Sequence, residues 1–423
     1  MKRSASWSFK RSPPETKEAL CMVHAITEPP ERKSSQSFEC SNCGATLVYG
    51  VDSASLECDY CESVHEIAEV EAAEAVITEQ ALNALYSSSK KHLITENRIL
   101  ECEQCGACTT LEGRKTTTTC PFCASEMVKE REPEEQLVPT GLIPFKINSE
   151  KSHRIYKAWL NCLWLRPNDL IKKSKLAEIE GVYTPFWTFD ARAVSRWRAE
   201  SGEYYYESET YRDQDGKRRT RMVQKTRWSP ASGNRSGTYD DVLVCGSRGL
   251  SADLVRRLEP FHTITELVPY NSQYLAGWQA EEYGIGPQAA WSIAKGLMEE
   301  QEYDACGREV PGDTFRGLQA STKLSEATGK YVLLPIWIAA YRYKGKSYRF
   351  MVNGETGEIS GEAPFSIWKQ ALLGLLCVFF LFTLITSGGL MLIPWGCLAA
   401  IWGLYAYAKG WFKKPEDVLK EPD

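Results

Sequence analysis

The chain has 423 residues, more than one hydrophobic core ordinarily organises, so two or three domains are expected. Fifty Lys and Arg against fifty-five Asp and Glu leave a net charge of -5, with 43% apolar and 25% charged residues. These values exclude a polycationic nucleic-acid coat and a wholly disordered chain. Fifteen cysteines are too few for a disulfide-dense secreted scaffold and too clustered to be incidental.

Residues 1–36 mix Lys2, Arg3, Lys10 and Arg11 with Ser and Pro, show no periodicity and no apolar signal core, and read as a flexible lead-in that is not exported. Eight cysteines follow in two sets, Cys40, Cys43, Cys58 and Cys61 in 37–66, then Cys102, Cys105, Cys120 and Cys123 in 99–125. Both have the spacing C-x2-C-x14-C-x2-C, and the second repeats the first 62 residues on. A Cys-x-x-Cys knuckle grips one tetrahedral metal with two thiolates, and a second knuckle closes the site, so each set is expected to be a zinc ribbon holding one structural Zn2+. Gly44 and Gly106 follow the leading knuckles, where a left-handed residue turns amides toward sulfur. Cys108 aligns with Thr46 of the first set and is a spare thiol. Spacing alone also accommodates iron; a redox dithiol needs only one such pair, and a cross-braced site ordinarily includes His. Four-thiolate sites have no open position, so catalytic zinc is not expected. Between the ribbons, 67–98 reads as a helical connector with helical spacing from Val76 to Tyr86, and 126–136 as a charged, solvated linker.

From 137 to 364 the pattern is strand-rich, with helices expected over Glu150–Leu165, Ala252–Leu258 and Pro287–Ala305, giving an α+β domain. Val182-Tyr-Thr-Pro-Phe-Trp187 echoes Val332-Leu-Leu-Pro-Ile-Trp337, a duplicated β element whose Pro and Trp are expected to pack a sheet edge and core. Tyr341–Val352 alternates about Lys344-Gly345, and Asn353-Gly354 makes a further turn, giving a β-meander. That hairpin disposes of a near-match to a phosphate-binding loop at Ala340–Ser347, because a strand, not a helix, follows Lys346. Gly284-Ile-Gly-Pro287 similarly imitates a dinucleotide fingerprint, yet Pro287 reads as a helix start. Residues 192–228 concentrate Arg and Lys among Tyr and Trp; anionic ligands fit such a surface, but Glu200, Glu203, Glu207 and Glu209 dilute it, and a strand pair with a charged wet face is the favoured reading. The five histidines form no metal or triad motif, and Cys21, Cys162, Cys245, Cys306, Cys377 and Cys397 have no ligand spacing.

Gln370–Ala408 contains no charged residue and, as one helix, would be roughly 58 Å long against a bilayer core of ~30 Å. Gly388-Gly389 and Pro394 break it, so 367–409 reads as a transmembrane helical hairpin, leaving 410–423 as a cytoplasmic tail. Lys369, Lys409, Lys413 and Lys414 place both outer ends on the positive, cytoplasmic side.

Taken with the paired ribbons, the segments Leu142-Ile-Pro-Phe145, Glu180–Trp187, Glu259-Pro-Phe261, Tyr274–Trp278, Leu334–Trp337, Tyr343–Lys346 and Val352–Gly357 make the chain resemble a family of bacterial membrane-anchored double zinc-ribbon proteins over roughly 38–386. Such proteins often carry labels borrowed from primosomal-helicase or transcription-factor zinc ribbons; this sequence has the ribbon without intact helicase motor motifs. The resemblance implies an association with membrane systems of phage-shock-protein-A-like and flotillin-like proteins. The expected function is therefore a non-enzymatic scaffold or adaptor on the inner membrane, bulk cytoplasmic, whose partners are the lipid bilayer and membrane-stress or flotillin-like proteins. A membrane-associated nucleic-acid binder is the alternative and is not favoured.

Overall fold

The computed structural model describes residues 38–67, 77–87, 98–111, 120–126, 128–131, 137–163, 166–170, 179–212 and 216–387. The N-terminal lead-in, the second half of the expected membrane hairpin and the tail lie outside them.

The first cysteine set sits in a three-stranded antiparallel sheet of β1 (Val48–Gly50), β2 (Ser55–Glu57) and β3 (Val64–His65). The connector differs from the expected helix over 76–86. Gln80–Ala81 forms a short strand, β4, paired with Thr328 and Gly329, and only Leu82–Ser87 is helical (α1). A sheet edge available at 328–329 captures residues whose spacing alone looks helical. In the second set β5 (Arg98–Cys102) lies between β6 (Cys108–Leu111) and β7 (Val128–Arg131). The charged linker thus begins later than 126, because Val128 to Arg131 pair with Cys102 to Ile99 and complete the ribbon. One apolar residue among three charged ones was too weak a strand signal.

The large sheet contains β8 (Gly141–Leu142), β9 (Glu180–Arg212), β10 (Arg218–Cys245), β11 (Val268–Pro269), β12 (Gln279–Ala280), β13 (Thr314–Tyr343), β14 (Lys346–Asn353) and β15 (Ile359–Gly361). Its main path runs β10-β9-β13-β14-β15, antiparallel throughout. Helices α2 (Ser149–Cys162), α3 (Ala252–Arg256) and α4 (Pro287–Glu309) match the three helical inserts in place. Asn148 caps α2 through the Lys151 amide, and Pro287 occupies the first turn of α4 as a start residue.

At 33 residues β9 is about 110 Å long at ~3.3 Å per residue, several times an ordinary strand. It divides into two regimes. Near its start both faces are buried. Tyr183, Trp187 and Phe189 with Tyr331, Leu333 and Trp337 face a layer that includes Phe145 and Tyr156. Val182 and Phe186 with Val332, Leu334, Ile336 and Ile338 face α3 and the second ribbon's Cys102, Cys120 and Phe122. The second ribbon is therefore a layer of the domain core. Farther along, burial alternates strictly from Ala191 to Ser201, with Trp197 and otherwise small residues (Ala191, Ala193, Ser195, Ala199, Ser201) lying inward and Arg192, Arg196 and Arg198 outward. Helix α4 covers that inward face with Ala290, Ala294, Met298 and Cys306. Buried Glu302 is fully engaged there, accepting from Ser195 Oγ at 2.8 Å and Tyr239 Oη at 2.8 Å, with Arg235 at 3.4 Å. Beyond Gly202 only β9 and β10 continue, as a hairpin.

The two copies of the duplicated element pair with each other, Val182 opposite Ile336 and Phe186 opposite Val332, at the centre of the sheet instead of its edge. The prolines fit because Pro185 O accepts from Gly246 N and Pro335 O from Gly354 N, so each proline's nitrogen faces a point where the neighbouring strand has ended. Lys344 and Gly345, both at positive φ, form the two-residue hairpin turn, and Lys346 opens β14.

Helix α5 (Ile367–Ser387) follows the sheet and exposes Ile367, Trp368, Leu372, Leu375, Leu376, Val378, Phe379 and Phe382. Among the described residues no helix is long and apolar enough to cross a membrane.

Candidate metal centres

Each ribbon gathers its four thiols. All four Sγ atoms lie within 4.8 Å of one another in both sets. Cys40–Cys61 and Cys43–Cys58 are 3.6 and 3.5 Å apart, and Cys102–Cys123 and Cys105–Cys120 are 3.6 and 3.7 Å. A metal with ~2.3 Å bonds to four thiolates places tetrahedral sulfur edges at about 3.8 Å, so both sets fit a closed four-thiolate centre.

The local chain explains the fit. In all four knuckles the residue after the second cysteine donates its amide to the first cysteine's carbonyl: Gly44 to Cys40, Glu62 to Cys58, Gly106 to Cys102 and Ala124 to Cys120, at 2.8–2.9 Å. The return bond runs from each first-cysteine amide to Ala45, Ser63, Ala107 or Ser125. Gly44, Glu62, Gly106 and Ala124 all have φ between +53° and +75°. Glycine marked this requirement at two knuckles; Glu62 and Ala124 adopt it at the other two, where sequence offered no sign.

The sequence reading also missed Ser63 and His65. Ser63 Oγ is 3.1 Å from both Cys40 Sγ and Cys61 Sγ, and His65 Nε2 is 3.4 Å from Cys40 Sγ and 3.1 Å from Ser63 Oγ. The available signal was a serine two residues after each last cysteine, Ser63 and Ser125. The Ser63 hydroxyl holds Cys40 down to about 5 and Cys61 to about 7. In the second set the Cys120 thiol beside Cys105 holds the latter at about 5, while Cys120 itself is pushed up. Each quartet thus favours a thiolate, the form that binds metal. Cys108 is buried outside its quartet, its Sγ 3.8 Å from Gly106 O. Cys162, Cys245 and Cys306 join no quartet among the described residues.

The two centres differ in setting. Around the second, Phe122 is fully buried in the domain core, Ser347 Oγ donates to Cys123 O at 2.9 Å and Glu282 N to Cys108 O at 2.9 Å. The first docks by the end remote from its sulfurs: Trp278 Nε1 donates to Tyr49 O, Tyr49 N to Ala276 O, and Asn148 Nδ2 to Asp52. Gly277 allows the approach, since a Cβ there would lie 2.5 Å from Val48 Cγ1. Cys43 and Tyr60 remain exposed.

A third group of ligand-type atoms, from Glu79, Asp190, Asp240 and Asp241, was not foreseen. Its cation is internal: Lys330 Nζ lies 2.8 Å from Asp241 Oδ1 and 3.2 Å from Glu79 Oε1. Burial first, then the Glu79 carboxylate, pushes Asp190 up to about 7. The basic stretch at 192–228 lies on the long strands, and much of its charge is answered locally. Arg192 pairs with Glu326, Arg221 with Glu209, and Lys225 with Glu207 and Glu209, while Arg227 stacks on Tyr205.

The chain is 27% identical over 239 residues to the uncharacterized protein YdjG of Bacillus subtilis (strain 168); the match covers 56% of this chain and 66% of that relative. No protein-family profile matches the chain, and no solved structure matches it.

Proposed function

We propose that the protein is a membrane-attached adaptor facing the cytoplasm, built around two structural zinc centres. The observation that carries this reading is the pair of closed four-sulfur quartets, which leave no position for substrate or activated water and so serve folding and surface presentation. Zinc is favoured over iron as the usual occupant of a four-thiolate ribbon. Attachment is supported by the uncharged run Gln370–Ala408 and by the exposed apolar side chains of α5, which in water would form a patch far larger than soluble proteins tolerate. The flanking lysines favour both ends of a hairpin on the cytoplasmic side. Membrane-stress or flotillin-like assemblies are the partners that the resemblance suggests. The paired charges of the long strands favour a protein partner over nucleic acid.

Two measurements test the reading. Elemental analysis of the full chain should give two zinc ions per molecule; one zinc, or iron, overturns the metal assignment. Deleting residues 366–423 should move the protein from the membrane to the soluble fraction with both zinc ions retained, and persistence at the membrane overturns the anchor.

A further inference from the structure

Strand β10 forms one end of the sheet path, and among the described residues nothing pairs with the side of Arg218–Tyr239 facing away from β9. Which amides lie on that open side follows from the register. Gly246 N donates to Pro185 O, so odd-numbered β9 residues turn their backbone groups toward β10. β9 carries no insertion along either ladder; the register shift against β10 adds its residue within Tyr239–Val242 of β10. Odd residues of β10 up to Tyr239 therefore bond to β9, and Arg218, Thr220, Met222, Gln224, Thr226 and Trp228 turn their amides outward. The next outward position is Pro230, which has no amide and ends the run.

The side chains divide by the same parity. Arg219, Arg221, Lys225 and Arg227 share one face, whereas Thr220, Met222, Gln224, Thr226 and Trp228 share the other, with Met222 65% exposed. From Arg218 to Arg235 the edge strand itself has six basic residues and no acidic one; Arg221 and Lys225 also reach back to Glu209 and Glu207 of β9, so the cations an added strand meets are shared with those carboxylates. A second copy of this edge would set cation against cation, which destabilises directly opposite pairs. We infer that the Arg218–Trp228 edge is a docking site for an extended acidic polypeptide segment that adds to the sheet as a strand, alternating acidic side chains beside Arg219, Arg221, Lys225 and Arg227 with apolar ones beside Met222 and Trp228. Main-chain hydrogen bonds supply affinity in this mode, and the alternating side chains supply selectivity. The inference takes from the adaptor reading only that the partner is a polypeptide. Its failure leaves the membrane-release test of that reading untouched.

The test uses the full chain in mild detergent and fluorescence anisotropy of a labelled, end-blocked decapeptide of alternating Glu and Val. Binding is expected, weakening as salt rises. Methylating alternate peptide nitrogens should reduce it by at least about tenfold, because several amide hydrogen bonds disappear together while charge is unchanged. Gln224→Pro, which removes one outward amide and no bond to β9, should weaken it in the same direction. A Lys-Val decapeptide should not bind. No binding of the Glu-Val peptide, equal binding of its methylated form, undiminished binding by Gln224→Pro, or tighter binding of a labelled decathymidylate each overturns the inference, the last in favour of nucleic acid.

Discussion

The two ribbons share a cysteine spacing, a knuckle geometry and a serine two residues after the last ligand, yet they occupy opposite mechanical positions. The second forms a layer of the core, with Cys102, Cys120 and Phe122 packed on Val182, Phe186 and Leu334. The first is a satellite whose own small cluster of Leu47, Tyr49 and Leu56 reaches the domain through Ala276, Tyr274 and Trp278. Identical coordination chemistry therefore has different consequences. Metal bound in the second ribbon would be coupled to the folding of the domain, and metal bound in the first chiefly to the ribbon itself.

Breaking one ligand in each site is the strongest challenge to that comparison. Cys120→Ser should cost the domain several kcal/mol, since it breaks the four-thiolate quartet that any metal in this layer needs and leaves three thiols in the core. Its thermal unfolding should shift down by far more than that of Cys58→Ser, although each variant retains one zinc. Equal shifts would show that the ribbons are equivalent.

A smaller effect concerns the long strands that the second ribbon supports. Asp190 has its carboxyl raised to about 7 in the folded protein, against about 4 in an unfolded chain. The native state then binds a proton that the unfolded state does not, so this group's contribution to stability falls as pH rises from about 4 to 7. Asp190→Asn should raise the unfolding temperature at pH 8 more than at pH 5.5. Asparagine retains an acceptor for the Asp241 amide, which Asp190 Oδ1 binds at 2.7 Å. A gain that does not change with pH would assign the effect to packing instead. The smallest expected effect is Cys108→Ser, which should leave zinc content unchanged because its sulfur lies outside the quartet. Loss of a zinc ion would place Cys108 among the ligands.

What the sequence revealed about the sites is what short-range geometry dictates. Two residues between cysteines suffice to specify a knuckle, so all eight quartet cysteines could be named from spacing, and Lys344-Gly345 specified its hairpin in the same local way. Ser63 and His65 stayed hidden because they meet Cys40 only after the ribbon closes. The placement of the second ribbon against β9 and β13 depends on contacts more than fifty residues apart, which no local pattern encodes. Strand length was similarly obscure: periodicity marks Ala191–Ser201 as a strand but not its continuity from Glu180 to Arg212. The connector over 76–86 went astray for the converse reason, a local helical pattern overruled at Gln80–Ala81 by a distant sheet edge.

Stepwise chelation of the full chain, followed by hydrogen exchange after each zinc equivalent is lost, tests the central claim most directly. The first equivalent should leave from Cys40, Cys43, Cys58 and Cys61, with exchange rising in 38–67 while the amides of 182–189 and 331–338 stay protected. The second should leave only as those core amides open. Concerted loss of both ions, or exposure of the core with the first, would contradict the division of the ribbons into satellite and core layer.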